Sequence, residues 1–380
     1  MIKIFIICLF FNSYCYSQYK VRIEVNVPPA TINDSIFIAG SFNNWEPGNL
    51  GYYLVPENNK WVFEKKDLQK GIYEYKFTRG TWDKVETAGN GDDVQNRLLD
   101  LSSDTTLQFS IESWKDNFIQ KARPNTASDN VHILDTSFHM KKLDRNRRIW
   151  IYLPPGYKNG IKRYPVIYMH DGQNLFDMAS SAYGEWGVDE IIDSLAAKGK
   201  AASIVIGIEN GPRRMNEYNP YYFERAGEGE GDAYIDFIMN DLKPFVDKHY
   251  KTLPSKENTF IAGSSMGGLI SYYAALKHPS VFGRAGVFSP SFWIAPPILS
   301  LTDSLASRSG GMYFFYIGKL EGNDMIKNMN KVAEQLGKSS KALIYTVIDP
   351  DGRHNEEAWR KWFVEFYLWV TSNGLNHIIK

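Results

Sequence analysis

Two different patterns of hydrophobic and polar positions follow one another along this chain. Between residues 18 and 112, apolar and polar residues alternate in short stretches, such as 19–25 and 73–77, separated by Asn, Gly and Pro clusters. Alternation with a period of two indicates half-buried β-strands, and the clusters between them indicate turns. The pattern predicts a small all-β, immunoglobulin-like sandwich over residues 18–112.

From residue 131 to residue 380, uninterrupted apolar runs of four to six residues alternate with stretches of helical periodicity. Such runs are typical of strands that are buried on both faces of a sheet. Alternating strands and helices predict a doubly wound α/β domain over residues 131–380. Residues 113–130 are polar and show no periodicity, and we interpret them as a linker.

The first seventeen residues have the organisation of a secretory signal. Lys3 supplies a positive charge, residues 4–11 are apolar, and a small residue, Ser17, precedes the predicted cleavage site. The apolar run is too short to span a bilayer. Both cysteines, Cys8 and Cys15, lie in this segment, so the mature protein is expected to lack disulfides and thiolate metal sites. We therefore predict a secreted or periplasmic protein without an integral membrane segment.

The charge balance argues against several classes of partner. Lys plus Arg and Asp plus Glu both total 43, so the formal net charge is zero. A nucleic-acid-binding protein would be expected to carry a basic excess. His, Cys and carboxylate residues do not occur with the spacing of zinc sites. We expect no nucleic-acid partner, no metal and no other cofactor.

The strongest chemical signal is the G-x-S-x-G pattern of residues 263–267. It follows a short predicted strand, 259–262, and opens a predicted helix that ends before Pro279. Strand, sharp turn and helix together form the context of a nucleophile elbow, in which glycines permit a strained turn. The pattern predicts that Ser265 is a nucleophile. The alternative is an ordinary strand–helix turn with a capping serine, a role that Ser264 would fill.

A nucleophilic serine needs a base to accept its proton and an acid to orient that base. In a doubly wound hydrolase the expected chain order is serine, acid, histidine. Of the histidines after Ser265, His278 ends the predicted helix and His377 lies in the tail. His354 lies in a turn directly after the predicted strand 343–348, where such folds place their sites. His354 is therefore the predicted base.

The acid is expected after the predicted strand 312–317, where Glu321 and Asp324 compete. Asp324 directly precedes a helix predicted over 325–336, where an N-cap aspartate is common. Glu321 lies before the helix, at the end of the strand. We therefore favour Glu321 as the acid and interpret Asp324 as a helix cap.

Two backbone amides are predicted to stabilise the oxyanion. Gln173 follows a predicted core strand, and Gly172 before it lets the backbone turn; Met266 follows the proposed nucleophile. We interpret His170 and Asp171 as residues that shape this loop. They precede the elbow in the chain, which is the wrong order for a triad.

The second domain resembles the putative-esterase branch of the α/β-hydrolases, which includes carbohydrate esterase family 1, siderophore esterases, S-formylglutathione hydrolases and mycolyltransferases. The residues that carry the resemblance are 152–156, 164–172, 263–267, Gly318 with Glu321, and 354–355. The resemblance implies an α/β-hydrolase fold and a serine carboxylesterase that works through an acyl-enzyme. It also implies the roles already assigned to Ser265, Glu321, His354, Gln173 and Met266.

The first domain resembles glycogen- and starch-binding modules over residues 39–45, 73–77, 80–82 and 95–96. This resemblance implies that Trp45 and Trp82 stack on sugar rings while Lys76 and Asn96 hydrogen-bond to sugar hydroxyls. A flat indole ring suits the apolar face of a pyranose. The alternative is that both tryptophans close the sandwich core and the domain is a spacer.

Three hypotheses follow for the whole protein. The first is an exported serine esterase that removes acetyl or feruloyl-type groups from carbohydrate, with the first domain as a polysaccharide contact. The second is a periplasmic siderophore lactone esterase, whose site would need cationic groups; candidates are Arg213, Arg214, Arg225 and Arg353. The third is a glycan-binding protein with an inactive hydrolase domain.

Overall fold

The structure is a computed structural model that describes residues 18–31, 34–43, 45–118, 123–181 and 183–372. The predicted signal segment, with Cys8 and Cys15, and the tail histidine His377 lie outside the described residues. The chain divides into two compact units, Met1–Lys121 and Ala122–Lys380.

The first unit is all β, as predicted. A four-stranded sheet has the order β3-β4-β1-β8, a three-stranded sheet has the order β2-β5-β7, and β6 pairs with β9. Alternate residues of β1, Val21, Ile23 and Val25, are buried, as the period-two pattern requires. The strands are β1 (Gln18–Asn26), β2 (Phe37–Gly40), β3 (Val55–Glu57), β4 (Lys60–Gln69), β5 (Gly71–Thr78), β6 (Glu86–Thr87), β7 (Arg97–Leu101), β8 (Thr105–Ser110) and β9 (Ser113–Trp114).

The first unit extends beyond the boundary predicted at residue 112. Trp114 is fully buried in the core of this unit, and its Nε1 donates a hydrogen bond to Thr31 Oγ1 at 2.8 Å. Within the predicted linker 113–130, Thr126 N also bonds Asp177 Oδ1 at 3.1 Å in the second unit. The linker interpretation was therefore too broad. A single apolar residue among polar ones shows no periodicity, and its burial depends on partners far away in the chain.

The second unit is built on one eight-stranded sheet with the order β10-β11-β13-β12-β14-β15-β16-β17. The pairs β10–β11 and β11–β13 are antiparallel, and all pairs from β13 to β17 are parallel. The strands are β10 (Val131–Met140), β11 (Arg145–Tyr152), β12 (Val166–His170), β13 (Ile204–Ile208), β14 (Thr259–Ser264), β15 (Arg284–Phe288), β16 (Met312–Gly318) and β17 (Leu343–Asp349).

Helices cover both faces of this sheet, which confirms the predicted doubly wound fold. One core includes apolar residues of α3 to α7, and the other includes residues of α1 and α8. The helices are α1 (Val188–Ala197), α2 (Arg214–Glu217), α3 (Gly231–Phe237), α4 (Lys243–His249), α5 (Met266–Lys277), α6 (Ile298–Leu305), α7 (Asn323–Ser339) and α8 (Glu356–Thr371), and a π-helical turn, Ile238–Leu242, joins α3 to α4. In such a sheet, the carboxyl ends of the parallel strands lie side by side along one common edge.

Candidate active site

Ser265 occupies a strained turn at the common edge. It joins β14 to α5 with φ +58° and ψ −120°, a conformation that residues other than glycine rarely adopt. Its backbone N–H donates to Phe288 O at 2.9 Å, which ties the turn to the end of β15. Ser264 is buried at the end of β14, and among the described residues no side chain caps α5. This is the geometry of a nucleophile elbow.

Gly263 of the motif and Gly268, directly after it, are required by the close approach of strand and helix. A Cβ atom on Gly263 would lie 2.9 Å from the carbonyl carbon of Gly267. A Cβ atom on Gly268 would lie 2.7 Å from the carbonyl oxygen of Phe288. Both distances are too short for real contacts, so larger residues would push α5 away from the sheet.

Glu321 and His354 form a hydrogen-bonded pair at the same edge. Glu321 lies in a short 3₁₀ turn after β16, and His354 lies in the turn between β17 and α8. His354 Nδ1 is 2.7 Å from Glu321 Oε2. Glu321 is only 5% exposed, and its other oxygen accepts hydrogen bonds from Gly318 N at 2.8 Å and Ser289 Oγ at 2.6 Å. A buried carboxylate held in this way can orient an imidazole.

Asp324 does not occupy the cap position predicted for it. α7 begins at Asn323 after Gly322, whose positive φ of 104° makes the turn, so the N-cap position is Gly322. The Asp324 side chain is 85% exposed and lies 3.6 Å from Lys327 Nζ. The prediction that Asp324 caps the helix was wrong. The glycine turn starts the helix two residues earlier than the apolar spacing indicated.

The loop after β12 approaches the neighbouring strand β13 closely. A Cβ atom on Gly172 would lie 2.6 Å from Gly207 C, which explains the glycine before Gln173. Gln173 Oε1 accepts a hydrogen bond from Asn210 N at 3.2 Å. Met266 is the first residue of α5, where a backbone N–H has no carbonyl partner within the helix. Because β12 and β14 are adjacent, the predicted oxyanion donors follow neighbouring strand ends.

His170 and Asp171 are buried next to the elbow. His170 Nδ1 is 2.9 Å from Tyr234 Oη, and burial lowers the pKa of His170 to about 3, so the ring is neutral at neutral pH. Burial alone would raise the pKa of Asp171, but Arg214 Nε at 2.7 Å holds that pKa below its ordinary value. A Cβ atom on Gly263 would lie 3.0 Å from His170 Cδ2, so the imidazole packs against the elbow.

Three residues of this edge were missed by reasoning from the sequence. Ser291 Oγ lies 3.1 Å from Ser265 Oγ, and Ser291 N donates to Ser265 O at 3.0 Å. Ser289 Oγ contacts Glu321, and Trp359 Nε1 donates to Ser289 Oγ at 2.9 Å. For the two serines, the order of the strands was the available signal. The loop after β15 lies between the strand that precedes Ser265 and the strand that precedes Glu321.

Two of the four arginines considered for a siderophore site are paired with carboxylates. Arg213 Nη2 lies 2.9 Å from Glu230 Oε1. Arg214 binds Asp171 with both Nε and Nη2, at 2.7 and 2.8 Å. Binding a catecholate through these two guanidinium groups would compete with existing ion pairs.

In the first unit, the two predicted sugar-stacking residues are neighbours. The ring centroids of Trp45 and Trp82 are 6.2 Å apart, with 39° between the ring planes. Both side chains are half-buried. Lys76 is half-buried on β5, and burial lowers its pKa. Asn96 Nδ2 donates to Glu74 Oε2 at 3.2 Å, so its amide already has a protein partner.

None of the described helices combines the length and the apolar character needed to cross a membrane. The described part of the chain also holds no group of three or more His, Cys, Asp or Glu side chains arranged to bind a metal ion.

Comparison with known proteins identifies related sequences. A model of the family described as Putative esterase matches residues 140–370, more than half of the 380-residue chain. The uncharacterised protein YbbA of Bacillus subtilis is 27% identical over 244 residues, which cover 59% of this chain and 92% of YbbA. An endo-1,4-beta-xylanase/feruloyl esterase of Xylanibacter ruminicola is 28% identical over 162 residues, 42% of this chain but only 21% of that protein.

A solved structure also shares the fold. The enterochelin esterase of Shigella flexneri superposes with a TM-score of 0.55 and 16% identity, and the match covers 89% of this chain and 88% of that one. At this level of identity, the likeness shows the fold and carries nothing about the substrate.

Proposed function

The chain belongs to the putative-esterase family, and from this premise we propose that it is an exported serine carboxylesterase that acts on acetyl or feruloyl-type esters of carbohydrate. Hydrolysis of esters follows from the family. The serine mechanism rests on one observation. The strained turn at Ser265 and the Glu321–His354 pair follow β14, β16 and β17 at the same edge of one sheet.

In the proposed mechanism, His354 accepts the proton of Ser265 through Nε2, because Nδ1 is engaged by Glu321 at 2.7 Å. Ser265 Oγ attacks the ester carbonyl, and the amides of Gln173 and Met266 stabilise the oxyanion. The alcohol departs with the proton from His354, which leaves an acyl-enzyme. Water, deprotonated by His354, then releases the acid and restores Ser265.

The carbohydrate-ester hypothesis is favoured over the siderophore hypothesis by the ion pairs of two arginines. Relatives alone do not separate the two hypotheses, because a protein whose name includes feruloyl esterase aligns with 42% of this chain and the ferri-bacillibactin esterase BesA of Bacillus subtilis aligns with 44%. Arg213 and Arg214 are paired with carboxylates, which leaves them poorly suited to catecholate binding.

The proposal is tested by measuring turnover of a panel of esters: 4-nitrophenyl acetate, methyl ferulate, acetylated xylan and a catecholate trilactone. We expect hydrolysis of the acetate or ferulate esters with a kcat/KM at least tenfold above that of the lactone. A preference for the lactone would establish the siderophore alternative. Absence of turnover on all four esters by folded protein would favour the inactive-hydrolase hypothesis.

We further propose that the first unit binds polysaccharide through Trp45 and Trp82. A tethered binding module raises the local concentration of substrate without changing the chemistry. The double variant Trp45→Ala/Trp82→Ala is therefore expected to lose retention on insoluble starch. Its turnover of polymeric esters should fall, and its turnover of 4-nitrophenyl acetate should stay unchanged.

The matched control for this prediction is Tyr53→Ala, which removes an exposed aromatic side chain of the same unit. It should leave retention intact. A lower melting temperature in the double variant, without any glucan binding by the wild type, would instead assign the tryptophans to packing and the unit to a spacer role.

Export is also a proposal. The organisation of residues 1–17 is that of a secretory signal. The N-terminal sequence of the protein recovered from its host should begin close to Gln18.

A further inference from the structure

The Glu321–His354 pair is one side of a closed ring of four side chains. Ser289 Oγ donates to Glu321 Oε1 at 2.6 Å, and Trp359 Nε1 donates to Ser289 Oγ at 2.9 Å. The indole of Trp359 then packs edge-on against the imidazole of His354, with ring centroids 5.1 Å apart and 83° between the planes. Each member of the ring therefore contacts two others.

Three separate elements contribute to this ring. Ser289 follows β15, Glu321 follows β16, and Trp359 lies in the first turns of α8, which begins just after His354. Ser289 is fully buried with a positive φ of 44°, and its N–H donates to Tyr316 O at 2.6 Å. A backbone conformation strained in this way persists only where the surrounding structure holds it.

The hydroxyl of Ser289 can fix the orientation of the Glu321 carboxylate. It accepts from the indole and donates to the carboxylate, so its proton has one favourable position. Its bond to Glu321 leaves the other carboxylate oxygen for His354. Trp359, only 5% exposed, limits the tilt of the imidazole by contact with its ring.

We propose that Ser289 and Trp359 are positioning residues that hold the Glu321–His354 pair in its working orientation. This inference rests on the proposed function, because it assigns Glu321 and His354 to the reaction. Neither Ser289 nor Trp359 needs to touch the substrate for this role.

The test is a double-mutant cycle measured with 4-nitrophenyl acetate. Ser289→Ala should lower kcat roughly tenfold to a hundredfold, as loss of a hydrogen bond to a charged group does, with KM unchanged. In the Glu321→Gln background the same change should lower kcat by less than about twofold, because a group that acts through Glu321 loses its effect there. Equal losses in both backgrounds would overturn the proposal.

Two further variants separate positioning from general packing. Trp359→Phe keeps an aromatic ring but removes the donor, and it should lower kcat less than Ser289→Ala while following the same non-additivity with Glu321→Gln. Ser203→Ala is the matched control, because Ser203 is also buried and accepts from a residue of α8, Tyr367 Oη, at 3.2 Å. It should leave kcat unchanged.

The outcomes also distinguish this inference from the proposed function. If Ser289→Ala fails to fold, Trp359→Phe carries the test alone. If neither variant changes kcat while Ser265→Ala is inactive, the esterase proposal stands and the positioning role is excluded. If Ser265→Ala retains activity, the mechanism proposed through Ser265 is wrong, and the positioning role loses its premise.

Discussion

Replacement of Ser265 by alanine is expected to reduce ester hydrolysis to the level of an enzyme without a nucleophile. In serine hydrolases, loss of the nucleophile costs about 10⁶ in kcat. The residue removed here occupies the strained turn at φ +58°, at the end of β14. Alanine keeps the Cβ atom and the backbone, so the fold should be retained. The measurement is the initial rate with 4-nitrophenyl acetate, together with circular dichroism of both proteins.

Ser264→Ala is the neighbouring control. Ser264 is buried at the end of β14, and its loss should leave most of the activity. A phosphonate that labels serine nucleophiles should modify the wild type and Ser264→Ala but not Ser265→Ala. If Ser265→Ala is labelled and turns over ester at a substantial rate, another residue is the nucleophile.

The second large effect is expected at Glu321. Glu321→Gln replaces one acceptor oxygen with an amide, which disturbs the contacts with His354 Nδ1, Gly318 N and Ser289 Oγ. An amide at this place favours the wrong tautomer of the base, and a comparable change in a serine protease lowers kcat about 10⁴-fold. We expect a loss on the order of 10³ to 10⁴ in kcat, measured with the same ester, and a small change in KM.

Asp324→Asn provides the comparison that decides between the two acids. The Asp324 carboxylate is 85% exposed, and surface substitutions of this kind usually change stability by no more than about 0.5 kcal/mol. Activity should be close to that of the wild type. A strong loss of activity in Asp324→Asn with an active Glu321→Gln would reverse the assignment.

Glu321 and Asp324 also show how far reasoning from the sequence reaches. Local patterns predicted both the strand that became β16 and a helix after it, and the acid was placed between them. The choice of Glu321 relied on a helix start that was wrong, since Gly322 and not Asp324 occupies the cap position. The contact that favours Glu321 is its bond to His354, across a sequence separation of 33 residues.

The sequence by itself determined those features whose physical cause lies within a few neighbouring residues. Period-two alternation predicted the strands of the first unit, and uninterrupted apolar runs predicted the buried sheet of the second unit. The elbow at Ser265 was also predictable, because strand, turn and helix are contiguous there. Gly263 and Gly267 of this elbow are explained by their close approach to each other and to His170.

Only the tertiary structure decided the contacts between distant segments. The burial of Trp114 against Thr31, the approach of Ser291 to Ser265, and the ring that includes Ser289 and Trp359 all depend on which strands are neighbours. Strand order and register are set by the packing of the whole sheet, and residues such as a lone serine after a strand carry no local pattern. For that reason, the nucleophile, acid and base were predicted from the sequence. The residues that contact them, Ser289, Ser291 and Trp359, were found only in the tertiary structure.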